Sequence, residues 1–514
     1  MRDHLSDRQD VQGPSRASMM STQEAETNSA TAMQRLEAKV TKPESLRAVD
    51  VAEAYLEDEG YRRDGLLTLR YWKGDWWRWD GPRYVELPVK DLKARTMAFL
   101  GKNEITRSKA YTKFASDVIA NLEGECFLDS TVTQPSWLNE SEAVYAPNCI
   151  SMQNGILDLA GLLAGDTGCL KQHSPEFFSC VSLPYAFNPE ATCSGWEKYL
   201  QEVQPDIEAQ DFLQEWCGYC LTHDTSLHKF VLLEGDSRHG KSVFCKVLRG
   251  LLGNENVSAV PLESFGEKFS LSHTIGKLAN IAEEIGPLDK VAEGHLKAFV
   301  GGSVMAVERK YRDPISVEPT ARLLLATNTR PRFADRSNGV WERMILVPFP
   351  IEIPLEKRDP HLDEKLYKEL PGIFNWAVGG LFRLRKRGHF VEPKVCIDAK
   401  EDYKLESNQT RAFIIDTFEV CEGAEFEKGE AYQLYADHCR RSGYTPMGEC
   451  QFGKEVARWY REVTGREMAE PVRRRVGTQR PRYYQGIRVF RGEEEGGPYG
   501  PYEPVSFLHS AIGK

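Results

Sequence analysis

The chain has 514 residues, room for roughly two to four domains, with 41% hydrophobic and 28% charged residues and a formal net charge of −10. That balance excludes a globally basic nucleic-acid-coating protein, so any DNA surface must be local. No apolar run is long enough to span a membrane, and Met1-Arg-Asp-His-Leu-Ser lacks a signal-peptide core, so a cytoplasmic protein without membrane contact is expected.

Residues 1–45 are rich in Ser, Thr, Gln, Ala and charge and read as a disordered tail. An N-terminal domain is expected over 46–185. Its stretch from Leu69 to Trp79, followed by Asp80-Gly81, reads as an aromatic hairpin. A hydrophobic core suits it better than a stacking platform for single strands, because few basic residues lie nearby. Helical periodicity dominates from about 87 to 130. Asn154-Gly155 opens a turn into a strand ending at Asp158, and 186–225 is helical. Of twelve cysteines, Cys217 and Cys220 make the one C-x-x-C pair. A single pair cannot fill a tetrahedral zinc site, so these two read as core.

From 226 to 390 apolar strands alternate with helical stretches. The candidate strands are Phe230–Glu234, Val257–Val260, Leu278–Glu283, Arg322–Thr327 and Met344–Phe349. This predicts an α/β domain with a parallel sheet and an AAA+-like core. The first strand runs into Gly235-Asp236-Ser237-Arg238-His239-Gly240-Lys241-Ser242, and a helical run follows. G-x-x-x-x-G-K-S between a strand and a helix is the context of a P-loop. Its glycines let backbone N–H groups curl around phosphate oxygens. Lys241 is expected to reach the β/γ-phosphates of ATP, and Ser242 to offer its hydroxyl to Mg²⁺.

Three further motifs follow. The strand ending in Glu283-Glu284 supplies two carboxylates, one for the Mg²⁺ shell and one to polarise the attacking water. Glu283 is assigned to Mg²⁺ and Glu284 to water, with the reverse also open. The run Arg322–Asn328 ends an apolar strand in an amide suited to sense the γ-phosphate. Arg343 stands just before the last core strand, where an arginine can reach a neighbouring subunit's ATP; Arg336 is a second candidate. Between acids and amide, two β-prone arms flank a basic tip with Arg309, Lys310 and Arg312, suited to grip a phosphodiester backbone.

The series of P-loop, Glu-Glu strand, Gly301-Gly302-Ser303 hairpin, Ala326-Thr327-Asn328 and Trp341-Glu342-Arg343…Pro348-Phe349 resembles the compact superfamily 3 helicase core. More narrowly, the chain is similar to the helicase half of phage and plasmid primase–helicases, related to the poxvirus primase–helicase. Asn154–Asp158, His173-Ser-Pro, Trp216–Thr222 and Glu369–Trp376 contribute to that likeness. The resemblance implies ATP-driven DNA unwinding by a homo-oligomeric ring, usually a hexamer, on single-stranded or forked DNA. It makes 186–225 collar-like and implies a winged-helix domain over 410–490, after a linker at 388–410. Arg473, Arg474, Arg475, Arg480 and Arg482 would crowd its wing, and arginine density beside tyrosines is itself a DNA-contact signal. Residues 491–514 read as a tail. The first 185 residues carry no D-x-D metal pair, so primer synthesis is not expected of them, and a separate primase is a candidate partner. Two other functions fit the same core: an origin-binding initiator that melts DNA, and an ATP-dependent defence switch.

Overall fold

The computed structural model describes Leu36 and residues 46–102, 104–139, 144–283, 293–331, 333, 338–478 and 480–490. Apart from Leu36, both expected tails lie outside the described residues. The chain divides after Lys400 into two compact units.

The first unit opens with α1 (Ala48–Asp58), β1 (Leu69–Trp72), β2 (Asp75–Trp79), β3 (Tyr84–Leu87), α2 (Val89–Lys102), α3 (Thr112–Glu125) and β4 (Phe127–Leu128). The strands form one sheet in the order β3-β2-β1-β4. Successive strand residues point to opposite faces. Leu69, Trp76 and Leu87 therefore pack with the helices on one face, while Trp72 and Tyr84 pack with Phe178 on the other. Both faces are apolar, which accounts for the aromatic density. Asp80-Gly81 does not close the hairpin. Lys73 and Gly74, both at positive φ, make that turn, and Asp80-Gly81 leads into a third strand.

Helices α4 (Ser194–Val203) and α5 (Ile207–Cys220) precede the second sheet. Its strands are β5 (Phe230–Glu234), β6 (Val257–Ser258), β7 (Ala279–Ala282), β10 (Arg322–Thr327) and β11 (Met344–Pro348). The hairpin strands β8 (Met305–Arg309) and β9 (Arg312–Val317) fall between β7 and β10. The sheet order is β6-β7-β10-β5-β11, and every neighbouring pair is parallel. All five expected strands are present. β5 and β10 are apolar through their middles, as in a sheet covered on both faces, and carry polar residues only at their ends, Glu234, Arg322 and Thr327. α6 (Lys241–Leu252), α7 (Gly339–Arg343) and α8 (Leu370–Arg387) complete this part.

α8 lies against α5 at close range. A Cβ on Gly218 would stand 2.2 Å from the Ala377 carbonyl oxygen, and one on Gly380 2.6 Å from that of Gln214. Beside this crossing the buried Glu215 carboxylate accepts from Arg383 (Nε–Oε1 2.7 Å) and from Arg387. Cys217 and Cys220 are buried in the same helix. Burial pushes the Cys220 thiol up to about 12, which disfavours its thiolate near neutral pH.

The stretch 388–410, expected as a linker, carries helix α9 (Lys394–Ser407). Its buried stripe is Cys396, Lys400 and Tyr403, spaced i, i+4, i+7. A lysine at the middle of the stripe hides the period in the sequence; it is held by Glu392.

The second unit continues as α10 (Gln409–Thr417), β12 (Phe418–Glu427), α11 (Lys428–Arg441), α12 (Glu449–Thr464), β13 (Val472–Arg473) and β14 (Arg482–Val489). The sheet order is β12-β14-β13, antiparallel throughout. Phe413, Tyr435, Phe452, Trp459 and Ile487 form its core.

Gly218→Ala is expected to destabilise the protein by about 1–3 kcal/mol, the usual cost of overpacking a close contact. Gly101→Ala, whose added Cβ meets nothing within 4 Å, should cause no loss. Denaturant unfolding of the two variants checks the contrast.

Candidate active site

The loop between β5 and α6 leaves the sheet one strand in from its edge, where β5 is flanked by β10 and β11. Its glycines are required by close approach. A Cβ on Gly235 would lie 2.5 Å from the Phe349 carbonyl oxygen. Gly240 has φ +91°, and its Cβ would meet Val203 Cγ1 at 2.7 Å. Tyr199 from α4 donates its hydroxyl to the Gly240 carbonyl at 2.8 Å, so α4 braces the start of α6. His239 Nδ1 lies 2.6 Å from the Phe349 carbonyl oxygen. Asp236, Ser237 and Arg238 are exposed.

Lys241 is buried at the first position of α6. Its ammonium donates to the carbonyl oxygens of Gly235 (2.5 Å) and Asp236 (2.9 Å) and to Asn328 Oδ1 (2.8 Å). Burial lowers its pKa, and the negative charges of Asp236 and Glu234 act against that. Ser242 follows with its side chain exposed. Asn328 stands just past the end of β10 and also approaches Ser237 Oγ at 3.5 Å. The amide expected to sense phosphate thus already touches the lysine expected to bind it.

Glu283 follows the last residue of β7 at this same C-terminal edge, partly exposed, with Arg249 of α6 at 3.9 Å. Glu284 and Arg336 lie outside the described residues. Arg343 lies at the opposite edge. β5 and β11 pair from Phe230↔Met344 to Glu234↔Pro348, so Arg343 precedes the first paired residue and the glycine loop follows the last. At roughly 3.3 Å per residue, the paired strands put more than ten ångströms between Arg343 and the glycine loop of the same chain. Arg343 donates to the Gly339 carbonyl at 2.8 Å, and its Nε has no hydrogen-bond partner.

The hairpin β8–β9 carries its cations as expected, but two of the three are engaged within the unit. Arg309 Nη1 pairs with Asp75 Oδ2 at 2.5 Å. Arg312 pairs with Asp75 Oδ1 and with Glu86 Oε1, both at 2.7 Å. Asp75 follows the tight β1–β2 turn and Glu86 lies on β3, so the aromatic sheet holds the hairpin through two carboxylates, one of them shared by both arginines. Lys310 and Tyr311 remain at the tip. Tyr311 is 93% exposed, and the Lys310 ammonium sits 5.3 Å from its ring centroid.

In the second unit the five wing arginines lie on β13, on β14 and in the connection between them. Arg474 is held by both oxygens of Glu425, each at 2.5 Å. Arg473, Arg480 and Arg482 are exposed and make no ion pair among the described residues. Sequence reasoning missed Asp75, Glu86, Arg249, Glu234 and Arg330. Their partners lie far along the chain, and only a charge at the end of an otherwise apolar strand, as in Glu234, signalled a buried counter-ion.

Asp75→Ala should free Arg309 and leave Arg312 with Glu86 alone. Hydrogen bonds between charged groups contribute about 1.5–3 kcal/mol each, so tryptic cleavage at Arg309–Arg312 should accelerate at least tenfold. Limited proteolysis of the variant against the wild type measures this.

Two family models match separate parts of the chain. One, described as "D5 N terminal like", matches residues 51–205. The other, a family of unknown function named DUF5906, matches residues 233–343. Among curated proteins, the chain is 23% identical over 300 residues to "Putative helicase L207/L206" of Acanthamoeba polyphaga mimivirus, covering 52% of this chain and 30% of that protein. It is 22% identical over 320 residues to "Putative helicase 184R" of Invertebrate iridescent virus 6, covering 53% and 32%. The chain thus spans about a third of the length of these relatives. Solved structures of the NrS-1 C-terminal region resemble it at 10% identity and a TM-score of 0.47, over 82% of this chain and 96% of that one. A second such structure gives a TM-score of 0.45 at 9% identity. The chain is thus similar, over separate parts of its length, to a D5-type N-terminal family model and to two viral proteins named as putative helicases. Among the described residues no helix is long and apolar enough to cross a membrane.

Proposed function

We propose that the chain is an ATP-driven DNA helicase of a phage, prophage or plasmid-type element, acting as a homo-oligomeric ring. One observation carries the reading: the Lys241 ammonium sits in a glycine-lined loop at the C-terminal end of an inner strand of a parallel sheet, hydrogen-bonded to Asn328 just past the adjacent strand. The sheet order, with the loop-bearing strand between the last strand and the asparagine-bearing strand, supports an AAA+-like core of superfamily 3 type. The helicase names of the viral relatives support the same assignment.

The residues fit a magnesium-bound nucleoside triphosphate. Gly235 and Gly240 let the loop pass close against Phe349 and Val203, the exposed Ser242 lies in the first turn of a helix, and Glu283 stands one strand beyond Asn328. Helix N-termini favour anions through unpaired N–H groups and the helix dipole. Lys241 would exchange its carbonyl partners for β/γ-phosphate oxygens. Asn328, released from Lys241, would turn to the γ-phosphate or the attacking water. Ser242 and Glu283 would hold Mg²⁺, which supplies charge stabilisation to the transferring phosphoryl group. Glu284, next along the strand end, would polarise the water. Arg343 lies too far from its own chain's loop to serve it, which favours action on a neighbouring subunit's nucleotide and hence a ring, in the family usually a hexamer.

DNA contact is assigned to the hairpin tip and the wing. Lys310 is the cation left exposed on the tip, while Arg309 and Arg312 would join it on release from Asp75 and Glu86. The strand and helix order of the second unit supports a winged helix, with Arg473, Arg475, Arg480 and Arg482 available to phosphates. Arg474 would first have to leave Glu425. Primer synthesis would fall to a separate primase.

Lys241→Ala is expected to abolish ATP hydrolysis without unfolding the protein. Arg343→Ala should bind nucleotide yet lose ring-dependent turnover, by about 10³-fold or more if it acts as a finger in trans. Mixing the two variants should restore part of the activity. ATPase and strand-displacement assays on forked DNA test this. Hydrolysis without displacement would favour an origin-melting initiator, and normal turnover in Lys241→Ala would overturn the site.

A further inference from the structure

Glu234 is the last residue of β5, directly before Gly235. It pairs in register with Thr327 on β10 and with Pro348 on β11, so its backbone is fixed from both sides. Its side chain is a carboxylate at the mouth of a loop whose chemistry suits a polyanion. Left unpaired, it would repel phosphate. Arg330, two residues beyond Asn328, meets it with a forked contact. Nη2 lies 3.0 Å from Oε2, and Nε bonds Oε1. Both side chains are about four-fifths buried, at 21% and 19% exposure, so solvent screens the pair only weakly.

The same contact sets the path of the loop after β10. Thr329 N donates to Thr327 Oγ1 at 3.0 Å, folding the loop back on itself. Asn328 is therefore bracketed by the end of the sheet at Thr327 and the ion pair at Arg330. Its own contact is to Lys241, which nucleotide binding would break. The Arg330–Glu234 hydrogen bonds involve neither Lys241 nor the glycine loop, although the Glu234 charge also acts on Lys241.

We propose that Arg330 and Glu234 are a positioning pair for the nucleotide site, cancelling the carboxylate beside the phosphates and holding Asn328 in place once Lys241 lets go. The inference rests on the reading of Gly235–Ser242 as a triphosphate site. A planar guanidinium bonded through two nitrogens fixes direction as well as charge, which an ammonium does not. Charge and direction are therefore separable by substitution.

The full-length chain is assayed for ATP hydrolysis, with fluorescent ATP binding measured in parallel, and circular dichroism checks the fold of each variant. Arg330→Ala should raise KM for ATP about tenfold and lower kcat. Arg330→Lys keeps the charge and should leave KM within about twofold of wild type while kcat stays reduced. The double variant Glu234→Gln/Arg330→Gln restores neutrality without a fork. It should recover KM but not kcat. A merely structural pair would lower stability without this split. The inference is overturned if Arg330→Ala and Arg330→Lys both match wild type in KM and kcat, or if the double variant binds ATP as weakly as Arg330→Ala. Wild-type protein and Lys241→Ala run beside them. If the wild type neither binds nor hydrolyses ATP in a Lys241-dependent way, the triphosphate reading fails and this inference fails with it. If it does, failure of the Arg330 predictions counts against the pair alone.

Discussion

The ammonium of Lys241 organises the site. It is buried beside the sheet edge and satisfied by two carbonyl oxygens of its own loop and by Asn328 from the next strand. A buried cation must be hydrogen-bonded or lose its proton, so the loop closes over it when nothing else is offered. In the proposed function this closed loop is the resting state. Phosphate oxygens would replace the carbonyls, and the exchange would pass directly to Asn328. The link between nucleotide and neighbouring strand is therefore one hydrogen bond long.

Under the proposed function, an acidic chain would have to concentrate its cations for DNA and keep them from its own carboxylates. It does the first on the hairpin tip and the wing. It does not do the second. Asp75 and Glu86 hold Arg309 and Arg312, and Glu425 holds Arg474. Since the Asp75 and Arg309 side chains are only 12% and 13% exposed, salt weakens that contact less than it weakens binding of phosphate by exposed arginines. Proposed DNA contacts at the hairpin thus compete with an internal partner, whereas those of Arg473, Arg480 and Arg482 on the wing do not.

The parallel sheet was legible because its strands are short apolar runs ended by Gly, Asn or Glu, and helices on both faces allow no polar alternation. The glycines and lysine were legible as a candidate nucleotide loop because a loop wrapped closely around phosphate would need Gly, Lys and Ser at set spacing. The aromatic hairpin was legible as core but not in its turn. Lys73-Gly74 carries a weaker signal than Asp80-Gly81, and only register decides between them. Helix α9 was missed because its buried stripe runs through Lys400. The charge pairs were missed for a simpler reason. Asp75 meets Arg309 across more than two hundred residues, and nothing local in either neighbourhood names the other.

Hydrogen–deuterium exchange tests the central claim most directly. Exchange in segments 235–242 and 322–331 is followed with and without a slowly hydrolysed ATP analogue and Mg²⁺. If Lys241 couples loop to strand, nucleotide slows exchange in both segments over the same concentration range, and Asn328→Ala uncouples the second from the first. Slower exchange in 235–242 with no change around Asn328 in the wild type would contradict that coupling, and no change in either segment would contradict the site itself.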